Sequence, residues 1–296
     1  MNVLTIAMPG NESYASRLSE ELGVGKCQWQ YKRFPDGESY IRLESDVRNK
    51  TLLVVWSMFR PDKLFLGFSF LCSALRQAGA QKIILLAPYL AYMRQDKAFK
   101  KGELVTSSLF AGMLSEYIDG IVTIDPHLHR IKSLDEIYNC DSHVLHSKDL
   151  IAKWIQNHVS NPVLIGPDAE SRQWVARVAD QYEWPYSVLN KTRMGDRSVK
   201  ISMGDLSSFK DHTAVIIDDI VSTGHTMMNC ATLLVSNEFK KPVCIAVHPV
   251  MSDNAWQEIQ KSEIGLFISC DTIPHISNTI STACLFADAF KQYGSA

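Results

Sequence analysis

Residues 215–226 read VIIDDIVSTGHT. A β-branched apolar run ends in two acids, Asp218 and Asp219. A turn of small and hydroxylated residues follows, Ser222-Thr223-Gly224-His225-Thr226, and TMMNCATLLVSN then reads as a helix. The order is strand, loop, helix start, with the strand ending at Asp218. A helix N-terminus offers unpaired N–H groups and a partial positive charge, a natural seat for phosphate. Gly224 permits close backbone approach, and the hydroxyls of Ser222, Thr223 and Thr226 can donate. A plain helix cap uses the same residue types. The acid pair is what a cap does not need: carboxylates repel phosphate but accept from sugar hydroxyls, so the stretch suits a ligand carrying both groups.

Working outward, short apolar runs at 3–7, 51–56, 82–87, 121–124, 163–165, 214–217, 243–247 and 266–269 alternate with helical patterns such as 63–77 and 171–180. That alternation predicts parallel sheets covered by helices. The order also repeats. VLTIAMPGNESYASRLSEEL from Val3 is matched by VLIGPDAESRQWVARVADQY from Val163. TLLVVWS from Thr51 is matched by TAVIIDD from Thr213, and KIILLAPY from Lys82 by PVCIAVHP from Pro242, an offset of about 160 throughout. GIVTIDPH at Gly120 resembles GLFISCDTIPH at Gly265. A constant offset implies duplication: two related α/β domains, 1–148 and 149–296, joined around 139–160. The halves differ where it matters. The first has WSMFRPDK where the second has DDIVSTGHT, and the first alone carries the insertion RQDKAFKKGE at 94–103. Two ligand loops of different chemistry suggest two ligands, held beyond the carboxyl ends of the strands.

Composition narrows the class. Lys and Arg total 30 against 32 Asp and Glu in 296 residues, a net charge of −2, which gives no support for a nucleic-acid binder. Seven cysteines without a Cys-x-x-Cys read as reduced, mostly buried thiols of a cytoplasmic protein. The N-terminus lacks the basic start of a signal peptide, and no run of 18 apolar residues is present, so no membrane span is expected.

Five further segments carry polar groups suited to a phosphorylated ligand. RFPDGESYIRL at 33–43 is a turn between extended pieces. APYLAYMRQDKAFKKGE at 87–103 sets Arg94, Gln95 and Asp96 after two tyrosines; Arg forks grip phosphate and aromatic rings stack on bases, although a solvated charged loop has the same composition. IDPHLH at 124–129 offers two histidines and an acid at a strand end, a modest metal signal. GPDAES at 166–171 holds Asp168, which an ordinary helix cap also explains. NKTRMGDRSVK at 190–200 concentrates cations, as an exposed basic loop does and as phosphoryl-type transfer needs.

Acid-acid, an apolar pair and a Thr-Gly-x-Thr turn resemble the phosphoribosyl-diphosphate signature of type I phosphoribosyltransferases and ribose-phosphate diphosphokinases. The other segments, in this order and extending to CDTIP at 270–274, resemble the diphosphokinases. The resemblance implies two tandem type I phosphoribosyltransferase-like domains, the first bearing ATP-binding segments and the second the ribose 5-phosphate loop. It implies transfer of the diphosphate of Mg-ATP to the C1 hydroxyl of ribose 5-phosphate, with release of AMP. It assigns Asp218, Asp219, Ser222, Thr223, Gly224, His225 and Thr226 to ribose 5-phosphate. Phe34, Asp36, Glu38, Arg94, Gln95 and Asp96 go to ATP. His127 and Asp168 are assigned to Mg²⁺, and Lys191, Arg193 and His127 to catalysis. Phe34, Asp36 and Glu38 reach a neighbouring subunit's ATP in that family, so a homo-oligomer, at least a dimer, is expected. Glu170 and Ser171 stand where the family has two glycines, and Ser222 replaces a commoner Asp; the insertion and Ser222 look more like the archaeal-type branch. Two other readings fit parts of the pattern: a phosphoribosyltransferase that consumes the product, and a catalytically silent regulatory relative.

Overall fold

The computed structural model describes residues 2–168, 171–193, 199–202, 207–252 and 254–293. It divides into two compact units, one of Met1–His146 with Thr282–Ala296, the other of Ser147–Ser281.

The first unit contains β1 (Val3–Ala7), α1 (Glu12–Leu22), β2 (Gly25–Lys26), β3 (Trp29–Arg33), β4 (Ser39–Leu43), β5 (Thr51–Val55), α2 (Asp62–Gln77), β6 (Lys82–Ala87), α3 (Thr106–Ser115), β7 (Gly120–Ile124) and β8 (Asp141–Leu145). The second begins with α4 (Lys148–His158) and continues through β9 (Pro162–Gly166), α5 (Arg172–Ala179), β10 (Tyr186–Val188), β11 (Asn190–Arg193), β12 (Val199–Ser202), β13 (Thr213–Val221), α6 (His225–Ser236), β14 (Val243–Pro249), α7 (Ala255–Lys261), β15 (Leu266–Cys270) and β16 (Asn278–Ile280). Helix α8 (Ala283–Tyr293) closes the chain.

Each unit holds a six-stranded parallel sheet, ordered β2-β1-β5-β6-β7-β8 in the first and β10-β9-β13-β14-β15-β16 in the second. The two orders are the same, strand for strand. An antiparallel hairpin sits at the same point of each, β3–β4 and β11–β12. The duplication legible as a constant offset is therefore a duplication of topology.

Two features differ from the sequence reading. The stretch 139–160, expected to be a connection, supplies the edge strand β8 and the whole of α4. Edge strands are short and half-exposed, so they lack the continuous apolar run that marks a central parallel strand. The second unit also does not run to residue 296. α8 packs on α1 of the first unit, with Tyr14 and Phe286 rings edge-on at 6.2 Å and Tyr14 Oη 2.8 Å from Thr282 Oγ1. The helix packed on α5 of the second unit is α4, which follows the first unit's last strand. Each unit thus takes its covering helix from the segment after the other unit's last strand.

The central strands are near-continuous apolar because both faces are covered. In the second unit Val163, Ile165, Ala214, Ile216, Cys244 and Ala246 pack with Met227, Cys230, Ala231 and Leu234 of α6. Those α6 positions follow the i, i+3, i+4, i+7 stripe of a helix that buries one face. All seven cysteines are free thiols and five are buried; burial pushes the Cys72 thiol up to about 12 and the Cys244 thiol well above its ordinary value.

Candidate active site at the carboxyl edges of the two sheets

In the second unit β13 does not stop at Asp218. It runs to Val221, with Asp218 opposite Ala246 and Ile220 opposite His248. The acids are therefore strand residues, and strand alternation sends their carboxylates to opposite faces. A ligand touching both must lie across the strand's end. Asp218 Oδ1 accepts from Asp219 N–H at 3.1 Å and Asp219 Oδ1 from Ile220 N–H at 2.8 Å, local bonds that orient each carboxylate.

The turn after β13 is held by backbone bonds. Met251 N–H donates to Val221 O at 3.0 Å and Ser252 N–H to Ser222 O at 2.9 Å. Gly224 is the N-cap of α6 in the left-handed region, φ +75°, and a Cβ there would meet Ile259 Cδ1 at 3.0 Å. The left-handed conformation favours glycine, and the Ile259 side chain leaves little room for a Cβ. Ser222 and Thr226 are half-buried and Thr223 and His225 exposed, so the hydroxyls and the first N–H groups of α6 gather around one turn.

The same point of the first unit is closed. Trp56 stands in the place of Asp218; it is fully buried and lies 4.9 Å from the Phe68 ring. Ser57 N–H, in the place of Asp219, donates to buried Asn11 Oδ1 at 2.7 Å. One unit spends this position on packing, and the other keeps a pair of carboxylates.

Asp168 follows β9. Its Oδ1 accepts from Ser171 N–H at 3.1 Å, and Ser171 Oγ donates back to Asp168 O at 2.6 Å. Ser171 is thus part of the turn that orients the carboxylate. Gly166 makes room for it: a Cβ there would fall 2.5 Å from Ser171 Oγ. Glu170 lies outside the described residues. Lys191 and Arg193 lie on β11, paired with Ile201 and Val199; residues 194–198 of that basic segment are outside the described residues.

In the first unit the Phe34–Glu38 segment is the tip of the β3–β4 hairpin. Gly37 N–H donates to Phe34 O at 2.9 Å, Phe34 N–H to Glu38 O at 2.8 Å, and Gly37 has φ +91°. This is a three-residue hairpin loop with glycine at the left-handed position. Asp36 Oδ1 accepts from Glu38 N–H at 3.1 Å, and the Phe34 ring is half-exposed. The hairpin lies on α2: Tyr31 fills the notch left by Gly67, where a Cβ would be 2.8 Å from the ring, and the Arg33 guanidinium donates to Lys63 O.

Beyond β6 and β7 the structure joins two segments that the sequence shows only separately. Asp96 Oδ1 binds the Arg130 guanidinium at 2.8 Å, and Arg130 N–H reaches Asp96 Oδ2 at 3.3 Å. With its side chain 4% exposed, Asp96 links the Arg94–Gln95 stretch to the His127 segment. Gln95 Oε1 accepts from Thr106 Oγ1 at 2.9 Å, while Arg94 points to solvent. His127 Nδ1 and His129 Nε2 lie 3.2 Å apart, within hydrogen-bond reach of each other.

Sequence reasoning missed the support beneath His127. Asp125 and His127 both have positive φ, +39° and +55°, and His127 N–H donates to Asp125 O at 2.9 Å. Buried Asp125 places Oδ1 2.8 Å from His146 Nδ1. Non-glycine residues in this region cost about 1–3 kcal/mol each and gather at functional sites. Tyr92 also has a positive φ, +65°; its hydroxyl donates to Asp62, and that bond, more than burial, raises the phenol to about 12. Backbone dihedrals leave no mark in composition, so only Asp125 and Pro126 beside His127 hinted at the turn.

Two tandem parallel sheets of one topology, a single DD…STGHT turn and a hairpin at the same point of each define a duplicated phosphoribosyltransferase-type α/β protein. Residues 3–117 match the family model for the N-terminal domain of ribose phosphate pyrophosphokinase, and residues 133–286 that for the phosphoribosyl transferase domain. The chain is 30% identical over 289 residues to a ribose-phosphate pyrophosphokinase of Methanosarcina mazei, covering 97% of this chain and 95% of that one. It is 31% identical to that of Saccharolobus solfataricus, covering 86% and 88%. A crystal structure of phosphoribosylpyrophosphate synthetase from Mycobacterium smegmatis superimposes with a TM-score of 0.88 at 24% identity, covering 100% of this chain and 99% of that one, a likeness of fold. The chain belongs to the ribose-phosphate pyrophosphokinase family. No helix among the described residues is long and apolar enough to cross a membrane.

Proposed function

We propose that this chain transfers the diphosphate of Mg-ATP to the C1 hydroxyl of ribose 5-phosphate, giving 5-phosphoribosyl 1-diphosphate and AMP. The observation that carries the reading is the end of β13. Two oriented carboxylates pass directly into a left-handed glycine and the start of α6, while the equivalent point of the first unit is filled by Trp56.

Asp218 and Asp219 accept from the ribose hydroxyls, one from each side of the strand's end. Ser222, Thr223, Gly224, His225 and Thr226 take the 5-phosphate on their hydroxyls and on the N–H groups of α6. Arg94 and Gln95 grip ATP, with Asp96 holding their segment against Arg130. Phe34, Asp36 and Glu38 meet the ATP of a neighbouring copy, so the active form is a homo-oligomer, at least a dimer. Lys191 and Arg193 neutralise charge on the transferring group as the C1 oxygen attacks the β-phosphorus and the bond to the AMP oxygen breaks. Fixed cations act on developing charge without covalent help from the protein.

Mg²⁺ is held by one or two carboxylates together with substrate phosphates. Asp168, oriented by Ser171, would supply a carboxylate, and His127, on its strained turn, would supply an imidazole. When bound, the ion offsets phosphate charge. The reduced thiols and balanced charge fit a cytoplasmic protein.

The test is AMP release from Mg-ATP and ribose 5-phosphate by the protein alone. AMP formed only when a partner protein is added supports the regulatory alternative. Turnover of 5-phosphoribosyl 1-diphosphate that requires a base supports the phosphoribosyltransferase.

A further inference from the structure

The proposed reaction uses His127 of the IDPHLH segment and leaves His129 without a part. The two rings nevertheless face each other. His127 Nδ1 lies 3.2 Å from His129 Nε2, with ring centroids 4.0 Å apart and planes at 74°. Two nitrogens on one ion, each about 2.0–2.1 Å from it and about 90–110° apart, stand about 2.9–3.4 Å from each other. The observed spacing is that of two neighbouring ligands. The pair is also held at both ends. Before it, Asp125 N–H donates to Leu145 O at 3.0 Å, Asp125 Oδ1 lies 2.8 Å from His146 Nδ1, and His127 N–H closes the turn on Asp125 O. After it, the N–H and guanidinium of Arg130 reach the two oxygens of Asp96, whose side chain is 4% exposed. That ion pair matches the one cation adjoining His129 in the chain with an anion. His127 is half-buried and His129 exposed, so an ion can reach the rings from solvent.

We infer that His127 and His129 together form a two-nitrogen site for a first-row divalent transition ion such as Co²⁺, Ni²⁺ or Zn²⁺, with His129 the group that selects it over Mg²⁺. The donor chemistry chooses the ion. Mg²⁺ takes oxygen ligands and keeps several of its waters, whereas imidazole suits the later first-row metals. One imidazole among oxygens gives that choice little weight. A second, already set at ligand spacing by the bonds on either side, adds a nitrogen bond at small ordering cost. What such an ion does beside ATP rests on the function proposed above; its capture by the two rings does not.

The experiment reads metal binding without nucleotide, so its failure is separable from failure of the enzymatic reading. Calorimetric titration of the full chain with Co²⁺, in mildly alkaline buffer, is expected to show a tight site that excess Mg²⁺ does not empty. Removing a group that merely orients a ligand costs about 10–100-fold in metal affinity, so His127→Ala and His129→Ala should each weaken Co²⁺ binding about tenfold or more. Pulsed EPR of the Cu²⁺ form counts the rings on the ion: two imidazoles in the parent and one in His129→Ala. A folded His129→Ala variant that binds Co²⁺ as the parent does, or a parent with a single imidazole on Cu²⁺, overturns the proposal and leaves the 3.2 Å approach as a contact between rings alone. If His129→Ala does not fold, the ring count on the parent decides.

Discussion

Replacing Gly224 by alanine tests the idea that the turn after β13 is held in one geometry by conformation and by packing together. The left-handed φ of +75° costs an L-residue about 1–2 kcal/mol. The new Cβ would meet Ile259 Cδ1 at 3.0 Å and Cγ1 at 3.1 Å, closer than packed carbons sit, and overpacking of this kind costs about 1–3 kcal/mol. The expected loss is about 2–5 kcal/mol, the sum of those two ranges. Urea unfolding measures it, and amide exchange along α6 assigns it to the second unit. In an Ile259→Ala background the contact disappears and the dihedral stays, so Gly224→Ala should there cost only about 1–2 kcal/mol. If Gly224→Ala costs less than about 0.5 kcal/mol, the level of an ordinary surface change, the glycine is not required and the reasoning fails. If the cost is the same in both backgrounds, the dihedral alone accounts for it. The KM for ribose 5-phosphate should rise in the single variant, because Ser222 and Thr223 move with the turn.

Lys191→Ala should lower kcat about 10²–10³-fold with little change in ribose 5-phosphate binding; full retained activity would remove Lys191 from the chemistry. Asp96→Ala frees Arg130 and the Arg94–Gln95 stretch, so the KM for ATP should rise more than that for ribose 5-phosphate, and equal changes would argue against a role confined to the ATP segment. Asp125→Ala removes the partner of His146 and loosens the turn under His127; Mn²⁺ binding followed by paramagnetic relaxation should weaken, whereas unchanged binding would count against His127 as a ligand. Burial lowers the pKa of His275, and its Nδ1 accepts from Ser277 N–H at 3.2 Å. A lowered folded pKa means the unfolded chain binds the extra proton first. The stability from neutral His275 is therefore complete above about pH 6.5 and lost as pH falls below it. His275→Asn should flatten the fall in urea midpoint between neutral and acid pH, and an unchanged slope would show that this ring does not set it.

The eight central strands were legible because a strand covered on both faces must be apolar throughout, and the duplication because the strands recur at a constant offset. The glycine turn ahead of α6 was legible as a helix start following a strand. The edge strands β2, β8, β10 and β16 were not, because half-exposed strands carry mixed residues whose place is set by their neighbours. Nor was the extension of β13 through Asp218 and Asp219, where pairing with β14 overrides the poor strand propensity of aspartate.

The sequence by itself determined the class of fold and its duplication, because periodicity is a property of neighbouring residues. Only the tertiary structure decided that each unit is covered by a helix from beyond the other's last strand. It alone showed Asp96 spanning two loops to Arg130, and a strained Asp125 beneath His127. These depend on residues 34 and 21 positions apart meeting in space, or on backbone dihedrals held by surrounding packing, and neither leaves a local pattern to read.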